Sequence, residues 1–85
     1  MWSTSPIRPV PLSAEAGSVL AALVTAGGPQ GLRLNDLSER TGLPTGHVGR
    51  HLRTLERDRL ARYGAGTWRA TARGEDHPAV QKLAA

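Results

Sequence analysis

Apolar residues recur at helical spacing in three stretches of the chain. Ala16, Val19, Leu20, Leu23 and Val24 predict a first helix. Ser13 supplies its N-cap, Glu15 places an acid at the positive dipole end, and Gly27-Gly28-Pro29 ends it. Gly31-Leu32-Arg33-Leu34 alternates and reads as one short strand. Asn35 is the expected N-cap of a short second helix, Asp36 to Thr41, with Gly42 as the residue that stops it. Leu37 and Leu43 then share a core-facing side with Leu34. A tight turn, Gly42-Leu43-Pro44, leads into a third helix from Thr45 to Asp58, with Pro44 suited to its first turn. At 100° per residue, Val48, Leu52 and Leu55 fall on one narrow arc, and Gly46, Arg50, Arg53 and Arg57 fall on the opposite one. Leu60 to Tyr63 and Thr67 to Ala70, joined by Gly64-Ala65-Gly66, predict a hairpin closed by Thr71 to Gly74. Its inward residues should be Leu60, Trp68 and Ala70, with Arg62 and Arg69 outward. Pro78 opens a last short helix through Leu83, capped by Asp76 or His77. The fold class expected is mainly α with a small β-hairpin (α+β).

The third stretch carries the chemistry. Its apolar face needs a core, and its other face is a row of arginines whose guanidinium forks suit phosphates and guanine edges. Gly46 and Gly49 leave the start of that helix thin, so it can approach another surface closely. Charge sharpens the picture. The chain has a formal charge of +4. Between Pro44 and Arg73, however, seven arginines face two acids, a local net of +5 that leaves the remainder at −1. A basic half on a near-neutral scaffold points to a polyanionic partner.

Composition then bounds the rest. Eighty-five residues make one small domain with a modest core. With no Phe, that core must be Leu, Val and Ala, helped by two Trp and one Tyr. The absence of Cys excludes disulfides and thiolate metal sites. No apolar run is long enough for a membrane span, and the N-terminus lacks a signal-peptide layout, so a bacterial or phage-like cytoplasmic, nucleoid-associated protein is expected. Residues 1–12, with Pro6, Pro9 and Pro11, form an expected flexible arm; residues 13–74 form the domain, and residues 75–85 the terminal helix.

The order helix, short strand, helix, turn, helix, hairpin is that of a winged helix-turn-helix with a three-helix core plus wing. Leu37-Ser38-Glu39-Arg40-Thr41-Gly42-Leu43-Pro44 followed by Val48-Gly49-Arg50-His51-Leu52-Arg53-Thr54-Leu55-Glu56 resembles the helix-turn-recognition helix of MarR-, ArsR- and IclR-like bacterial transcriptional regulators. Trp68-Arg69-Ala70-Thr71-Ala72-Arg73-Gly74 is similar to the strand that closes the wing in those families, with Ala70 where they carry a leucine. The resemblance spans Ala14 to Gly74. It implies a recognition helix in the major groove of double-stranded DNA and a wing on backbone or minor groove. By position, it implies groove-facing roles for Thr45, Gly46, His47, Gly49, Arg50 and Arg53, and wing-facing roles for Arg62, Thr67 and Arg69. Arg57 continues the arginine row. Only eleven residues follow the wing, so no sensing domain and no small-molecule ligand are expected in this chain.

Other chemistries read poorly. His47 and His51 stand four apart on one helical face, a spacing zinc sites use. Val48 stands where a metalloprotease helix has its Glu, and a third ligand would have to be His77 or a carboxylate brought by folding. No metal, no cofactor and no catalysis are expected. Two functions remain beside transcriptional regulation. One is a DNA-recognition module of a plasmid or chromosome translocase or of a replication or partition protein. The other is a winged helix that binds protein, which an acidic or apolar third-helix face would favour. A weak or DNA-stabilised homodimer is expected, pairing through Trp2 and Ile7 or through Val80 and Leu83.

Overall fold

The computed structural model describes residues 12–80, apart from the Pro29 side chain. The expected arm with Trp2 and Ile7, and the expected end of the last helix at Leu83, lie outside the described residues. Helix α1 (Ala14–Ala22) starts at Ser13, whose hydroxyl accepts from the Ala16 N–H at 3.1 Å. It does not stop cleanly at the glycines. It loosens into a π turn, Leu23–Gly27, and then tightens into a 3₁₀ turn, Gly28–Gln30. Thr25 donates its hydroxyl to the Ala21 carbonyl at 2.8 Å, a local bond of the kind that bends helices.

The expected strand shrinks to Leu32, which exchanges two backbone hydrogen bonds of 2.9 and 2.7 Å with Trp68. Helix α2 (Leu34–Thr41) begins earlier than expected, with Arg33 and not Asn35 at its N-cap. The Asp36 carboxylate reaches back to accept from the Arg33 N–H at 3.2 Å, satisfying that donor from inside the helix. Gly42, in the left-handed region at φ 74°, ends α2 as expected. Ser38 donates to the Leu43 carbonyl at 2.6 Å, and the Thr41 hydroxyl accepts from the Leu43 N–H at 3.3 Å, which fixes the turn into helix α3 (Thr45–Arg57).

Helix α3 packs against both α1 and α2. Val48, Leu52 and Leu55 are fully buried with Val19, Leu20, Leu37 and Leu60. Each such side chain is worth about 1.5–3 kcal/mol of transfer free energy. Leu34 and Leu43 pack on this core only in part.

Strands β1 (Ala61–Gly64) and β2 (Thr67–Ala70) form the antiparallel hairpin, with Ala61 opposite Ala70, Arg62 opposite Arg69, and Tyr63 opposite Trp68. Thr71 ties this wing to the turn that follows α3 by donating its hydroxyl to the Arg59 carbonyl at 2.6 Å. The same oxygen caps a four-residue helix, α4 (Ala72–Glu75), by accepting from the Gly74 N–H at 3.1 Å. Residues 71–74, expected merely to close the hairpin, therefore start a helical turn. Gly74 is buried so close to the Leu60 carbonyl that a Cβ there would overlap it. His77 Nδ1 accepts from the Ala79 N–H at 3.1 Å and residues 78–80 are helical, so His77 is the cap of the last helix. Val80, expected to be a spare pairing surface, is 3% exposed and belongs to this chain's own core. Among the described residues, no helix is long and apolar enough to cross a membrane.

Candidate nucleic-acid interface

With Val48, Leu52 and Leu55 inside, the arginine face of α3 points outward. Thr45, Gly46, Gly49, Arg50 and Arg53 line one open groove of about 450 Å³. Its other wall is Leu34, in the first turn of α2. Among the described residues, nothing outside the helix's own backbone lies within 4 Å of where a Cβ would stand on Gly46 or Gly49, so the groove floor is bare helix backbone. Arg50, Arg53 and Arg57 are exposed. None of them forms a salt bridge among the described residues. Arg57 stands at the far end of α3, outside the groove lining.

His47 belongs to a different constellation. The Glu15 carboxylate of α1 lies 3.0 Å from His51 Nε2 and 3.9 Å from His47 Nδ1. The carboxylate that folding brings to the two histidines therefore ties α1 to α3, and no group of three donors among the described residues could hold a metal ion. His47 remains half-exposed beside the groove and is not among the residues that line it.

The wing is less open than strand alternation predicts. Arg62 is exposed, and Arg69 directly opposite is half-buried. Two guanidinium groups facing each other across a ribbon repel. Arg62 and Arg69 border a cavity of about 200 Å³ with Gly64 and Ala65 of the wing turn. Arg69 Nε is buried and has no hydrogen-bond partner. The Thr67 hydroxyl is engaged within the fold, 3.0 Å from the Gln30 carbonyl and 3.3 Å from that of Gly64. Trp68 is half-buried and packs on the core, as expected of a structural aromatic. Tyr63 is 56% exposed, with its ring centroid 5.0 Å from that of Trp68.

A family model for the IclR helix-turn-helix domain matches residues 16–65, from α1 to the wing turn. The chain belongs to this family. Comparison with curated proteins and with solved structures yields no match. An IclR-type helix-turn-helix is a DNA-binding domain of transcriptional regulators, and DNA binding is the role it brings here. It is not a catalytic domain. Within this IclR-type domain, reading the sequence alone missed two residues near α3. Sequence places Leu34 in the core, yet it also lines the groove; its place at the N-terminus of α2 is the signal for that second role. From sequence, Glu15 reads only as a helix-dipole partner. Its contact with His51 spans 36 positions and has no local signature.

Proposed function

We propose that this chain binds double-stranded DNA sequence-specifically, with the α3 face in the major groove and the wing on the backbone, as a small bacterial transcriptional regulator. The observation that carries this reading is the open groove floored by Gly46 and Gly49 and flanked by Arg50 and Arg53. Bare helix backbone admits base edges closely, and free guanidinium groups offer bidentate donors to guanine or charge to phosphate. Arg50 and Arg53 read bases or hold adjacent phosphates; Arg57, Arg62 and Arg69 neutralise phosphates to either side. His47 flanks the groove and meets the duplex from the α1 side. Thr45 contributes at the helix start, and Thr67 holds the wing turn in shape.

One such domain covers a half-site. Two copies about 34 Å apart along the duplex, one helical turn, give the second half of the contact. We propose a weak dimer that DNA stabilises. Sedimentation of the free chain and of the chain with a two-half-site duplex tests it, and a tight dimer without DNA overturns it.

Selection from a random duplex library with the purified chain tests the function. A recovered palindrome supports the dimeric regulator. A short directional repeat replaces it with a recognition module of a DNA translocase or partition protein. Recovery of no sequence preference overturns specific readout altogether.

A further inference from the structure

The groove on α3 differs from one edge to the other. At 100° per residue, Thr45 and Gly49 lie on the flank of α3 away from His47 and His51, and Arg50 lies nearest those histidines. The histidines meet Glu15 of α1, and Leu34 of α2 closes the groove along the other flank. One edge of the groove is therefore aliphatic and the other cationic, with the Gly49 backbone between them. Leu34 is half-buried: it packs on the core in part and lines the groove with the rest. That packing holds the apolar wall in place. Arg33, the residue before it, is exposed and forms no salt bridge among the described residues. The rim at Leu34 thus also carries a cation for a phosphate of the strand that passes there.

We infer that Leu34 reads the 5-methyl group of a thymine, one step from a guanine held by Arg50 or Arg53. The inference rests on the proposed placement of α3 in the major groove. Of the four bases, thymine alone offers an aliphatic group on its major-groove edge, and that group fits the aliphatic edge of the protein groove. A guanine edge offers two acceptors and suits the arginine side. A methyl set against Leu34 leaves water for an apolar wall, so discrimination at this position comes from packing and not from a hydrogen bond. The preferred half-site then carries a thymine beside a guanine. The methyl of 5-methylcytosine has the same place and chemistry, so a cytosine there is felt according to its methylation.

The experiment starts from the duplex that the wild-type chain selects. Each thymine in it is replaced in turn by deoxyuridine, which deletes only the methyl. Affinity, read by fluorescence anisotropy, should fall about fourfold at one thymine per half-site, the factor for one buried methyl, and should hold at the others. That thymine should adjoin a base pair whose substitution Arg50→Ala or Arg53→Ala no longer feels. With a C·G pair in its place, 5-methylation of the cytosine should raise affinity about fourfold. Leu34→Ala should bind the thymine and deoxyuridine duplexes equally, whereas Leu34→Met, which keeps an apolar contact of similar volume, should retain the preference. Thermal melts show which variants are folded, and Leu34→Val, a milder truncation, should reduce the preference if Leu34→Ala does not fold. Indifference to deoxyuridine at every thymine, or a selected site with no thymine beside a guanine, overturns the inference and leaves the DNA reading standing. A folded Leu34 truncation that weakens both duplexes alike, with the preference intact, does the same, because it marks contact with sugar or a role in the fold alone. A chain that selects no duplex overturns specific readout, and this inference with it.

Discussion

Helix α3 and the wing both carry arginines, and the two regions hold them in different ways. Helix α3 is anchored along one side by Val48, Leu52 and Leu55, all fully buried, so its opposite side is fixed by helical phase alone. Arg50, Arg53 and Arg57 emerge from a rigid rod and, among the described residues, meet no carboxylate that neutralises them. The wing is a two-stranded ribbon, an element that has little stability alone. It borrows rigidity from the Leu32 bridge and from the Thr71 hydroxyl that ties it to the turn after α3. Gly31 shows how tight that borrowing is. A Cβ there would stand 2.6 Å from the Trp68 carbonyl oxygen and 2.9 Å from Arg69 Cγ. Wing side chains serve the fold first, and only what is left over faces outward. Roles on α3 therefore follow from period, whereas roles on the wing depend on long-range neighbours.

The most severe way to break this contrast is to remove the anchor of α3. Leu52→Ala deletes a fully buried side chain where three helices meet, and such truncations cost about 2–5 kcal/mol. A domain this small has little stability to spare, so the expected outcome is a melting temperature lowered by well over ten degrees, or no folded baseline. A melt within a few degrees of wild type, read by circular dichroism, would show that the rod is held some other way.

Next comes the exposed face of the same rod. Arg50→Ala and Arg53→Ala leave no cavity, so their melts should match wild type within about 0.5 kcal/mol. Each should cost about 1–3 kcal/mol in binding the preferred duplex, and less against a scrambled one. Gel-shift titration against both duplexes reads the difference. Equal affinity for the preferred site in both variants would sink the assignment of this face.

The wing offers a smaller and different signature. Arg62 is exposed and proposed to meet phosphate, so Arg62→Ala should weaken all duplexes alike. The wild-type chain should lose log K against log salt with a slope of roughly −3 to −4 per protomer, and the variant with a slope shallower by about 0.9. Fluorescence anisotropy across a salt series measures both. A change in sequence preference with an unchanged slope would move Arg62 from the backbone to the bases.

These differences also explain what could be read from sequence. The phase of α3, the stop at Gly42 and the burial of Leu37 follow from short-range patterns, and the structure has all three. The start of α2 lies earlier than the sequence predicts because Asp36 satisfies the Arg33 N–H from the third helical position, whereas sequence points to Asn35 as the cap. Helix α4 is not legible in the sequence because Thr71 looks like a strand residue, and only the fold shows its hydroxyl both capping Gly74 and holding Arg59. Strand alternation sends Arg69 outward. The chain around Gly31 and the π turn instead folds against β2 and half-buries it, a contact across some forty positions that no local pattern encodes.

The smallest predicted effect on stability tests the groove most directly. At several other positions glycine has a local reason: Gly28, Gly31, Gly42 and Gly66 have φ between 55° and 80°, and a Cβ on Gly74 would overlap the Leu60 carbonyl. Gly46 and Gly49 lie inside α3 with ordinary helical backbone and open space around them. Among the described residues, neither conformation nor packing requires glycine there. Each costs the helix about 0.5–1 kcal/mol relative to alanine. If the proposed function is right, that cost is recovered when DNA presses against the bare backbone. Gly46→Ala and Gly49→Ala should therefore raise the melting temperature by a few degrees each while lowering affinity for the selected duplex. The opposite signs matter more than the sizes, because a merely structural role for these glycines would move both in the same direction. Alanine variants that are more stable and bind DNA as tightly as wild type would show that the duplex does not approach the helix at this end.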